Sequence, residues 1–166
     1  MSKKNKVMIA IVATLIIMGI GVMTALSITD VNGVKIDGQT SQMMLITVTV
    51  SGIVGVIVGA LFNKLFIWLS QLGQEEKQSV SFLTSWYATA ISQIPFAIIN
   101  IFLVTVLSLY KSGNTVAAII SGVVNALIYT FILRQEKVIT KRTQIIYLVI
   151  MIVLIIAMSA VPMLMK

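Results

Sequence analysis

The chain has no cysteine and no histidine, and only five acids against twelve basic residues. Without cysteine there are no disulfides, thiolate metal sites or redox dithiols. The five acids, Asp30, Asp37, Glu75, Glu76 and Glu136, all lie outside the long apolar runs. With no histidine and no acid at membrane depth, a proton-driven carrier is disfavoured, because such carriers keep ionisable groups there as relays. Intramembrane proteolysis, metal hydrolysis and phosphoryl transfer need a base, a metal cluster or a glycine-lysine phosphate loop. Gly52, Gly55 and Gly59 form no such loop and sit in an apolar run. The expectation is a chain without enzymatic activity, cofactor or metal. Charged residues make up 10% of the sequence, where a soluble domain carries about a quarter.

What is present instead is apolar sequence, 58% of the residues. It is gathered into five long runs, about 7–27, 43–70, 81–110, 116–133 and 145–165, with short polar connections between them. A helix needs roughly 20 apolar residues to cross a hydrocarbon core of about 30 Å. All five runs meet that length, the fourth barely. The predicted fold is therefore all-α, a polytopic five-transmembrane-helix bundle forming a single membrane domain over 1–166. Runs of this length are not the alternating strands of an outer-membrane barrel.

The second and third runs exceed the required length, so they tilt or extend past the hydrocarbon. Lys64, Trp68, Trp86 and Tyr87 mark headgroup levels, where snorkelling lysines and amphipathic rings settle. The first run follows Lys3, Lys4 and Lys6 and is longer than a signal-peptide core, so an uncleaved anchor is expected. A cytoplasmic N-terminus puts those three lysines with Lys64, Lys77, Arg134, Lys137, Lys141 and Arg142 on one side. Lys35, Lys111 and Lys166 fall on the other. This positive-inside bias predicts an external C-terminus after five spans. The net charge of +7 then serves topology and attraction to anionic membrane lipids, and no nucleic-acid partner is implied.

Several uncharged features carry the remaining information. Asn32-Gly33 between apolar residues predicts a tight hairpin in the first external connection. Asp30 and Asp37 nearby are too few for a calcium loop. Ser51, Gly55 and Gly59 recur every four positions and share one helix face, as do Ala118, Gly122 and Ala126, with Asn125 on the adjacent stripe. Small-residue faces let backbones approach closely in lipid, within the chain or toward a partner. In the third run Ser85, Thr89 and Gln93 are spaced by four, Asn100 follows, and Pro95 interrupts the ladder. A polar stripe beside a proline either joins helices by hydrogen bonds or lines a path.

The stretch from Gly59 to Val104 has an aromatic-rich helix exit, a glycine-containing polar loop and a helix with a polar residue shortly before proline. Gly73, Phe82, Tyr87, Ser92 and Pro95 occupy those places. In this it resembles the bacterial branch of the Ypt-interacting protein (Yip) domain family. The resemblance implies five spans, a cytoplasmic N-terminus and an external C-terminus. It also implies, for some members, assistance to ABC-type exporters against toxic peptides.

The expected role is a non-catalytic subunit or scaffold of a bacterial cytoplasmic membrane. Its partners would be membrane lipids and another integral membrane protein, an exporter or a second copy of itself. The alternatives are a small channel or uniporter at the Pro95 stripe, and a membrane immunity protein.

Overall fold

In the computed structural model the described residues are 1–27, 30–31, 34–35, 37–75, 77–105 and 115–164. They form five helices, α1 (Lys3–Ser27), α2 (Gly38–Ser70), α3 (Phe82–Thr105), α4 (Thr115–Gln135) and α5 (Lys141–Leu164). Between α1 and α2 lies a ribbon of β1 (Asp30–Val31) and β2 (Val34–Lys35). It is antiparallel, with Asp30 opposite Lys35 and Val31 opposite Val34. The Asn32-Gly33 turn expected there, the tail of the third run at 106–110 and Met165 lie outside the described residues.

Four helices, α1, α2, α3 and α5, are long and apolar enough to cross a membrane. The apolar part of α4 described here, Ile119–Gln135, is shorter. The 33 residues of α2 would extend roughly 50 Å at the helical rise.

Polar caps set the helix starts, ahead of the apolar run for α2 and α5 and at its edge for α3. Asp37 accepts the Thr40 N–H at 2.7 Å ahead of α2. Ser81 accepts the Thr84 N–H at 3.1 Å and Thr140 the Thr143 N–H at 3.1 Å, starting α3 and α5. Each satisfies a backbone donor that the first helical turn leaves open. Asp37 is thus engaged as a cap. At the other end of α4 the chain closes in a Schellman turn, with Val138 N–H donating to Leu133 O and Lys137 N–H to Arg134 O, both at 3.0 Å. That turn places Lys137 in the left-handed region at φ 57°, a position glycine usually fills.

The helices alternate in direction. Helix α3 packs against α1, α2 and α4, and α5 closes the bundle against α4 and α2. Small buried side chains permit these approaches: Ala10 and Ala13 on α1, Ala60 on α2, Ala88 and Ala90 on α3. Two apolar clusters result. Ala13, Val56 and Ala90 join α1, α2 and α3. Ile67, Ala88, Ala126, Tyr129, Leu133 and Tyr147 fill the space between α2, α3, α4 and α5.

Large apolar side chains cover the exterior, among them Leu15, Ile46, Phe62, Phe131, Val153 and Met158. A continuous apolar exterior suits a lipid solvent and not water.

Polar contacts gather one end of the bundle. Lys6 Nζ lies 2.7 Å from Glu136 Oε2 and donates to Thr84 Oγ1 at 3.2 Å. The Thr143 hydroxyl donates to Gln74 Oε1 at 3.2 Å. The start of α1, the α2–α3 connection and the α4–α5 connection therefore share that end, and most of the basic residues belong to it. The Lys6 ammonium bonded to Glu136 holds its carboxyl below the usual glutamate range, against an opposing push from partial burial.

Candidate functional site

Within the apolar bundle a chain of uncharged polar groups crosses four helices. Ser85 on α3 is fully buried and donates to Ala60 O on α2 at 2.7 Å, while its oxygen lies 2.9 Å from the Tyr129 hydroxyl on α4. Tyr129 packs against Tyr147 of α5 with ring centroids 5.5 Å apart. The Tyr147 hydroxyl donates to Asn63 Oδ1 on α2 at 2.7 Å, and Asn63 Nδ2 donates to Thr89 Oγ1 on α3 at 2.9 Å. Each of these bonds ties two helices, and hydroxyls or amides are the groups that can do so in lipid without a net charge.

Beside this network lies a cavity of about 210 Å³. Asn63, Thr89 and Tyr147 border it together with Ser92 and Gln93 of α3 and Asn125 of α4. Met151 and Ile155 of α5 supply an apolar wall. Ser92 donates to the Thr89 carbonyl at 2.9 Å. Asn125 Oδ1 is buried and has no hydrogen-bond partner. A buried carbonyl oxygen without a donor loses its hydration without compensation, at a cost of about 1–3 kcal/mol.

The small-residue faces divide in use. Gly59 faces neighbours within the bundle, since a Cβ there would lie at ordinary contact, 3.6 Å from Thr89 Cγ2 and 3.7 Å from Gln93 Nε2. Gly122 is closer still to its neighbour, with Ile155 Cδ1 2.8 Å from a built Cβ. Ala126 is buried in the cluster shared by α2, α3, α4 and α5. Ser51 and Gly55, by contrast, are exposed on α2, and nothing approaches within 4 Å of a Cβ at Gly55. The Ser51 hydroxyl bonds back to the carbonyl of Val48 at 3.3 Å, so it too needs no neighbour. Ala118 falls within α4, but its side chain lies outside the described residues.

The α3 stripe also splits. Ser85, Thr89 and Gln93 face the bundle interior, whereas Pro95 and Asn100 are exposed and do not border the cavity. Pro95 stands inside a helix that continues to Thr105. Asn63, Tyr129 and Tyr147, which complete the network, escape a reading limited to small residues and to α3. The signal for Asn63 was available, because it extends the Ser51, Gly55, Gly59 register by one more step of four. Tyr129 stands in the same relation to Asn125.

Among the described residues no group of three or more His, Cys, Asp or Glu side chains is placed to hold a metal ion. The site offers hydrogen-bond donors and acceptors only. Compared with family models, curated proteins and solved structures, the chain finds no match.

Proposed function

We propose that the chain is an integral membrane protein with five spans, its N-terminus on the basic, cytoplasmic side of a bacterial cytoplasmic membrane and its C-terminus outside. Its role in this reading is that of a non-catalytic subunit that binds a second integral membrane protein. The observation that carries it is the exposed Ser51–Gly55 surface of α2, open above Gly55 while Gly59, one turn on, faces Thr89 and Gln93 of α3. Lipid chains compete weakly for such a face, whereas another helix can bring its backbone close to it. The Yip-like register over 59–104 agrees with this role, and an exporter subunit is the partner the resemblance suggests. Its loop glycine, Gly73, stands at φ +76°, a conformation that glycine adopts without strain.

A photo-crosslinker at Ser51 in native membranes, compared with the Gly55→Leu variant, tests the proposal. The expected result is one discrete adduct that Gly55→Leu removes while the folded bundle is retained. Absence of any protein adduct overturns it. A second reading, passage of a small solute, draws on the cavity between α2, α3, α4 and α5. Reconstituted vesicles with no solute flux, whether or not Asn125 is changed to Leu, would remove that reading.

A further inference from the structure

We infer that the cavity beside Asn125 is a binding site for a small neutral molecule with a carboxamide or hydroxyl head and a compact apolar body. The inference is independent of the partner reading and holds whether or not solute passes through the bundle. It rests on size, on the unused polar atoms and on the absence of charge.

A cavity of 150 Å³ lined by apolar side chains accommodates a six-carbon ring, so one of about 210 Å³ takes a molecule of roughly six to nine non-hydrogen atoms. The neighbouring network consumes most of the polar capacity: Asn63 Oδ1 accepts from Tyr147, Asn63 Nδ2 donates to Thr89, and Ser92 donates to the Thr89 carbonyl. Two groups stay uncommitted. Asn125 Oδ1 accepts nothing, and Gln93 has no hydrogen bond among the described residues while its amide borders the cavity.

An acceptor on α4 and an amide with both functions on α3 complement a guest that donates N–H or O–H and also accepts. Another primary carboxamide meets both demands at once. No charged side chain lines the cavity. A charged guest would lose its hydration there without an ionic partner, so a neutral molecule is favoured over its ionised isostere. Met151 and Ile155 also line the cavity and suit an apolar body, so the site combines a few polar anchors with apolar contact.

The probe pair is benzamide and benzoate, which share shape and differ in charge. Calorimetric titration of the full chain in lipid nanodiscs should show saturable benzamide binding and none for benzoate under the same conditions. Asn125→Leu removes the free acceptor and is expected to weaken benzamide binding about three- to tenfold, the equivalent of one hydrogen bond. Gly59→Ala adds a methyl at ordinary contact distance from Thr89 and Gln93 and should also weaken binding by narrowing the cavity. The wild-type comparison of the two probes stands even if a variant fails to fold. Equal binding of both probes, no saturable binding of benzamide, or full affinity in a folded Asn125→Leu protein would each overturn the inference. A cavity that holds only water gives the second of these results.

Discussion

Replacing Ser85 by alanine should loosen three helices at once. Its hydroxyl donates to Ala60 O at 2.7 Å and sits 2.9 Å from the Tyr129 hydroxyl, and both Ser85 and Tyr129 are almost wholly excluded from the surface, at 0% and 1% exposure. The substitution removes the α2–α3 bond and the α3–α4 bond together. Interhelical hydrogen bonds in membranes average about 0.6 kcal/mol in double-mutant cycles and reach about 1.7 kcal/mol. Two such bonds, together with a Tyr129 hydroxyl left without its Ser85 partner, give an expected loss of about 1.5–3 kcal/mol. Tyr129→Phe removes one bond and leaves Ser85 on Ala60, so about 0.5–1.5 kcal/mol is expected there. The double variant should lose less than the two singles combined, because the stranded hydroxyl is gone. Equilibrium unfolding by steric trapping in bicelles measures all three. Strict additivity, or a Ser85→Ala loss below about 0.3 kcal/mol, the usual tolerance for independent sites, would refute the assigned bond network.

Other outcomes follow from individual contacts. Gly122→Ala presses a methyl against Ile155 Cδ1 at 2.8 Å and should cost about 1 kcal/mol, partly relieved by Ile155→Val in the same unfolding assay. Gly55→Ala meets nothing within 4 Å and should leave the isolated bundle as stable or slightly more so, since alanine favours the helix by about 0.8–1 kcal/mol. Lys137→Gly releases a left-handed lysine at φ 57° and should raise stability by roughly 0.5–1 kcal/mol. Because the folded-state pKa of Glu136 is depressed, chiefly by its bond to Lys6, its contribution is present above the unfolded glutamate value of about 4.3 and is lost as pH falls through the lower folded value. Acid titration of unfolding should show that loss, no more than about 1 kcal/mol for so peripheral a pair, and Glu136→Gln should flatten it.

Five apolar runs were legible as helices because each is long, free of acids and without charge in its middle, and bounded by polar residues. Their starts were less so, since a cap such as Asp37 or Thr140 initiates a helix several residues before its apolar content begins. Four-residue spacing put Gly59, Gly122, Thr89 and Gln93 on helix faces, and all four border the cavity. Spacing along one helix does not say which of its residues find a neighbour, and so it could not separate open Gly55 from Gly59, which faces α3. Nor could it bring Tyr147 to Asn63, 84 residues apart in sequence and joined only by tertiary packing.

The absence of cysteine makes the crossings by α1 to α4, on which the five-span arrangement depends, directly measurable. Single cysteines replacing Ser2, Gln39, Ser79 or Lys137, all exposed at the ends or connections of helices, can be labelled in intact bacteria with a membrane-impermeant maleimide. The account predicts labelling at position 39 and protection at 2, 79 and 137 until the cells are opened. Labelling of position 79 or 137 from outside, with position 2 protected, would contradict it.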